Sequence, residues 1–160
     1  QAETGNIRVH VADVPLRAIL SNALDAVKAS AQERSIRWDV RTEGAPERLS
    51  ADADKAVWVV VNLLSNAVHY SPQGGTISIT GIRSDGELHL TVSDQGPGIP
   101  PAEQAQLFQR FAHTASSSPQ STGLGLAIAR EFMEAMGGAI AFDPGVTTGA
   151  SFILRFPATD

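Results

Sequence analysis

The stretch VWVVVNLLSNAVHY, residues 57–70, constrains the fold more than any other part of the chain. At ~100° per residue, Val57, Val60, Val61, Leu64 and Val68 gather on one arc of a helix, while Asn62, Asn66 and His69 fall on the opposite one. Such a helix must lay its apolar arc on another element. Asn62 and Asn66 are spaced i, i+4, so their carboxamides point the same way and can serve one site. A solvated helix face usually carries Lys and Glu; neutral amides suggest the wall of a cleft.

The rest of the chain supplies a partner for that helix. Ile7 to Val11 alternates as a short strand, and Pro15 opens a helix in which Leu16, Ile19, Leu20, Ala23, Leu24 and Val27 recur at three and four. Ile36, Trp38 and Val40 alternate as a strand, TEGAPE turns, and Asp52 or Asp54 is placed to cap the asparagine helix, which ends at Ser71-Pro72 and QGG. Thr76 to Ile82 and Glu87 to Ser93 read as strands joined at SDG, a hairpin signal. The second strand runs directly into DQGPGIP. GLGLAIAREFMEAMGG forms a mostly apolar helix ending at Gly137-Gly138, and Ile140 to Phe142 and Ser151 to Phe156 are the last two strands. Strict βαβ alternation is absent. The expected fold is therefore α+β, a two-layer sandwich in which a mixed sheet is covered on one face by about three helices.

With 160 residues the chain is long enough to bury one two-layer core. Its net charge of −5, without a Lys/Arg cluster, argues against nucleic acid as the main partner, so a polyanionic ligand must be held by something other than a basic patch. No cysteine is present, which excludes disulfides and thiolate metal sites and fits a reducing compartment. Neither a signal peptide nor an apolar run of ~18 residues is evident. A cytoplasmic domain without direct membrane contact is expected, and this is compatible with a parent protein anchored in the inner membrane.

Asp94 followed by Gly96 and Gly98 fits a tight turn, but glycines also allow close backbone approach to a flat ligand, and a buried carboxylate can accept from an exocyclic amine such as that of adenine. Gly123 and Gly125 open a helix, whose free N–H groups and partial positive charge suit an anion. No P-loop and no V-A-I-K or H-R-D signature occurs.

In chain order, NLLSNAVHYSP, DQGPGIP, LFQRF and STGLGLAIA closely resemble the four boxes of the sensor histidine kinase catalytic domain, which has the Bergerat ATP-binding fold of the GHKL superfamily. The resemblance covers about Ile7 to Phe156. It implies a catalytic domain at residues 7–157 after a residual linker at 1–6, an ATP lid at about 108–123, and a tail at 158–160. By that resemblance Asn66 ligates Mg²⁺ and Asn62 is its partner one turn earlier. Tyr70 lies beside the nucleotide, Asp94 reads the adenine amino group, and Gly96, Gly98 and Ile99 shape the pocket around it. Phe108 and Phe111 begin the lid, while Thr122, Gly123, Leu124, Gly125 and Leu126 form the second glycine box at the phosphates. ATP and Mg²⁺ are the implied cofactors. The implied partners are a helical dimerisation domain of the same parent that carries the phosphoacceptor histidine and, indirectly, a response regulator; the separate domain is expected to be a monomer.

The chain departs from that pattern at His69 and His113, where many family members have Lys or Arg near the γ-phosphate. Neutral imidazole supplies less charge, which implies weaker or more pH-dependent phosphate binding. Ser121 replaces a usual glycine, and Arg110 is a candidate phosphate-side cation. Bergerat ATPases that hydrolyse ATP have a glutamate where this chain has Asn62, and a carboxamide is no useful base toward water. None of the four histidines is followed by an acid, as a phosphoacceptor usually is. Trp38 and Trp58 read as packing residues, His10 and His89 as structural or exposed. Two other functions remain open on sequence: an anti-sigma-type serine kinase of the same fold, and a degenerate nucleotide-binding module.

Overall fold

A computed structural model describes residues 7–109, 125–145 and 149–159. Its elements are β1 Ala12–Pro15, α1 Leu16–Glu33, β2 Arg37–Gly44, β3 Arg48–Ala51, α2 Ala53–Tyr70, β4 Thr76–Ser84, β5 Glu87–Ser93, α3 Pro101–Gln104, α4 Gly125–Ala135, β6 Ala139–Phe142 and β7 Ser151–Pro157. A five-stranded sheet has the order β2-β4-β5-β7-β6, parallel only between β2 and β4. Alternation along the strands sends Ile77, Ile79, Leu88, Leu90, Val92, Leu154 and Phe156 into the core beneath the helices, giving the expected mixed sheet covered on one face. Among the described residues no helix is long and apolar enough to cross a membrane.

The β4–β5 hairpin closes through Asp85 and Gly86, both at positive φ (52° and 77°), the backbone that lets a two-residue turn follow the strand twist. α4 stops at Gly137, at φ 81°, where Gly138 N–H reaches Met133 O at 2.8 Å and Gly137 N–H reaches Glu134 O at 3.1 Å. This pairs the last helical carbonyls.

Several sequence expectations shift. The first strand lies at Ala12–Pro15, not at Ile7 to Val11, and it pairs with β3, a strand that turn chemistry around TEGAPE concealed. Val40 is 39% exposed despite its alternation, because β2 is a sheet edge. On α2 the buried face comprises Ala56, Val59, Val60, Leu63, Leu64, Ala67 and Val68, with Val57 and Val61 only partly covered. The arc is wider than one sheet contact needs because α2 packs against α1, α4 and β5 together.

Candidate functional site

Three stretches distant in sequence meet where β5 ends. Asp94 N–H donates to Ala150 O at 3.0 Å, and Asp94 Oδ1 accepts from Gly96 N–H at 2.8 Å and from Ala150 N–H at 3.2 Å. Burial pushes the Asp94 pKa up, and these two amides oppose the shift without cancelling it. The glycines around it interlock by backbone alone. A Cβ on Gly149 (φ 72°) would collide with Asp94 O, one on Gly98 (φ 78°) would stand 2.9 Å from Gly149 O, and one on Gly96 would collide with Tyr70 O. Only glycine permits this approach. Behind the turn, the Ser93 and Ser151 hydroxyls are 2.5 Å apart.

α2 begins with Asp52 as its cap: Oδ1 accepts from Lys55 N–H at 3.2 Å, while Oδ2 accepts from His10 N–H at 2.8 Å and lies 3.6 Å from Lys55 Nζ. Burial is the largest single influence on the Asp52 pKa and raises it, yet the His10 and Lys55 amides with the Lys55 charge outweigh it, and the pKa is lowered. Nearly three turns on, Asn62 Nδ2 donates to Trp58 O at 3.1 Å. Its Oδ1 would lie 2.6 Å from a Cβ on Gly125, so the first residue of α4 rests on the Asn62 side chain. Asn66 and Tyr70 are half-buried farther along the helix, and the exposed His69 ring meets Tyr70 edge-on at 4.7 Å.

The remaining expected residues divide by position. Ile99 is partly buried, its carbonyl accepting from Gln104 Nε2 at 2.9 Å; Phe108 packs edge-on to Phe152 at 6.2 Å; Leu126 packs on the core. Arg110, Phe111, His113, Ser121, Thr122, Gly123 and Leu124 lie outside the described residues, as does most of the expected lid. Trp58 packs on Phe132 at 5.1 Å, and His89 meets Glu87 at 3.3 Å. Sequence reasoning missed Gly149 and Ala150, which build the Asp94 nest; their only local signal was a glycine after a turn.

Among the described residues no group of three His, Cys, Asp or Glu could hold an ion. Magnesium keeps several waters and takes phosphate oxygens, so a single amide oxygen such as that of Asn66 fits it.

Residues 51–160 match the family model described as histidine kinase-, DNA gyrase B-, and HSP90-like ATPase. Sensor-like histidine kinase SenX3 of Mycobacterium tuberculosis is 34% identical over 93% of this chain, and Sensor protein TorS of Escherichia coli is 35% identical over 97%. Hybrid signal transduction histidine kinase D of Dictyostelium discoideum is 33% identical over 98%. The chain spans 37%, 17% and 11% of these three proteins. Among solved structures, the nucleotide-free catalytic domain of histidine kinase ThkA superposes with TM-score 0.82 at 27% identity, covering 94% of this chain and 97% of that one. Full-length ShkA in complex with AMPPNP gives 0.82 at 28% identity, covering 99% of this chain and 34% of that one. The chain therefore belongs to the histidine kinase-, DNA gyrase B- and HSP90-like ATPase family, as an ATP-binding domain of the sensor histidine kinase kind.

Proposed function

We propose that this domain binds Mg·ATP across α2, the glycine turn after β5 and the start of α4, and donates the γ-phosphate to a histidine on a separate helical dimerisation domain of the same parent. The residues 1–6 and 158–160 flank that unit, and the lid spans about 108–123. A response regulator would then receive the phosphoryl group; the ThkA structure with its response regulator TrrA, 25% identical to this chain with TM-score 0.78 and covering 99% of this chain and 45% of that one, supports such a partner. The domain acts in the cytoplasm as a monomer.

Each residue has a task in this reading. Asp94 accepts from the adenine amino group, with Gly96, Gly98 and Ile99 leaving room for the ring beside Tyr70. Phe108, packed on the core, and Phe111 are the residues that the family resemblance assigns to the start of the lid. Asn66 holds the ion, and the second glycine box, Thr122, Gly123, Leu124, Gly125 and Leu126, is assigned to the phosphates, which the N-terminus of α4 at Gly125 suits. His69 and His113 are assigned to the γ-phosphate side by the family resemblance. Magnesium, when bound, neutralises charge on the phosphate oxygens. The protein contributes position and water exclusion.

One observation carries the preference for transfer over hydrolysis. Asn62 stands where hydrolysing relatives have a glutamate, its Nδ2 committed to Trp58 O and its oxygen turned onto Gly125. It offers no base to water. Calorimetric titration with Mg·ADP, followed by incubation with labelled ATP and a helical histidine domain, tests the reading. Binding with transfer is expected, and Asn66→Asp is expected to lose transfer while keeping the fold. Absence of binding at millimolar nucleotide rejects the reading; binding without transfer favours a regulatory module.

A further inference from the structure

The turn after α1 is joined to the loop after α2 by an unusual concentration of bonds. The Arg34 guanidinium donates from Nη2 to Ser71 O, Gly74 N–H donates to Arg34 O at 2.8 Å, Arg37 N–H to Gly75 O at 2.9 Å, and Gln73 Nε2 to Ser35 Oγ at 3.2 Å. Ser71 is completely buried, and its hydroxyl and amide both return to Ala67 O. Its own carbonyl is thus pointed out of the helix toward Arg34. The Arg34 Nε is buried with no hydrogen-bond partner among the described residues. A buried donor left unpaired is costly, so the Arg34 guanidinium is held here against that cost.

The loop so fixed is also one wall of the Asp94 nest. Tyr70 O, the carbonyl immediately before Ser71, fills the space that Gly96 leaves by lacking a Cβ, and Thr76 N–H donates to Gln95 Oε1 at 2.9 Å. The loop therefore touches the glycine turn on both sides of the Gly96 amide that bonds Asp94 at 2.8 Å. Moving the Ser71 peptide moves Tyr70 O, and Gly96 follows because the two backbones are already in contact.

We propose that Arg34 is a positioning residue for the nucleotide site: through Ser71 and Tyr70 it sets where Gly96 presents its amide to Asp94, and thereby the adenine end of the pocket. This rests on the nucleotide-binding reading above. Lysine at this position keeps a charged donor for Ser71 O at the end of a flexible stem, whereas methionine fills a similar space with no donor.

The test is titration of Mg·ADP into the wild type, Arg34→Lys and Arg34→Met, each well below its melting temperature, with the Gly96 amide resonance followed by NMR. Wild-type binding is the condition for the nucleotide reading itself, and its absence would reject that reading separately. Given binding, Arg34→Met is expected to weaken affinity on the order of 10-fold with a displaced Gly96 resonance, the scale of one carbonyl deprived of its partner. Arg34→Lys is expected to restore both. Arg34→Met with wild-type affinity and an unmoved resonance, whatever its melting temperature, overturns the proposal, as does a folded Arg34→Lys as weak as the methionine variant. If Arg34→Met does not fold, Arg34→Gln, too short to reach Ser71, replaces it: weakened binding supports the proposal and wild-type binding rejects it.

Discussion

The side-chain oxygen of Asn62 occupies the place a methyl group on Gly125 would need, 2.6 Å from that Cβ position. The obstacle is the end of a side chain, so it can rotate aside, but only by giving up its bond to Trp58 O. Gly125→Ala is therefore expected to change stability by less than about 1 kcal/mol while lowering phosphotransfer. In an Asn62→Ala background the same change should have no further effect on transfer, a non-additivity read from a double-mutant cycle. Additive losses would show that the two residues act separately.

Asn62→Glu installs a carboxylate where this chain carries an amide. Phosphate release to water, measured without any histidine domain, is expected to rise about 10-fold or more, since a positioned general base contributes at least that much. A rate equal to the wild type would remove the link between this position and the choice of acceptor.

Asp94→Asn has opposite effects on folding and binding. The folded-state pKa of Asp94 lies above 3.8 because of burial, so the folded protein holds this proton more tightly than the unfolded chain does. The group's contribution to stability is lost as pH rises from 3.8 through the folded value, and it stays lost above it. The nucleotide-free variant should consequently melt higher than the wild type at pH 7, with the difference shrinking near pH 4. Its affinity for Mg·ADP should fall by on the order of 10-fold, the cost of an uncharged acceptor for the adenine amine. Thermal melts at both pH values and calorimetry decide these two points.

Asp52→Ala should behave in the reverse sense. Its folded pKa is below 3.8, so its stabilising effect is complete above 3.8 and disappears as pH falls through the folded value. Removing the cap of α2 is expected to cost about 1–2 kcal/mol at pH 7. The deficit should narrow in acid, and a deficit of constant size from pH 7 to pH 3 would contradict the assignment.

What could be read from sequence follows from how local each cause is. β4, β5 and their turn were legible because alternation and the Asp85-Gly86 pair act within a few residues. The cap at Asp52 and the stop at Gly137 are equally local. β3 escaped because Arg48 to Ala51 become a strand through a partner far earlier in the chain, with Arg48 paired to Asp13 at 3.0 Å. The site shows the same division. Asp94, Gly96 and Gly98 announce themselves in one short motif, but Gly149 matters only because sheet register sets β7 beside β5 and brings Ala150 to the Asp94 carboxylate. The true buried arc of α2 depended on which neighbours cover it.

β5 is flanked by β4 on one edge and β7 on the other, in unbroken register from Glu87 to Ser93, and Asp94 is the next residue. Strands flanked on both edges in the middle of a sheet are expected at the high end of the opening free energies in a fold. In the proposed complex, a nucleotide anchored at Asp94 would be tethered to this doubly flanked strand. Its occupancy should register as slower deuterium uptake along β5 in step with the rise in melting temperature, with the two measurements reporting a single free energy.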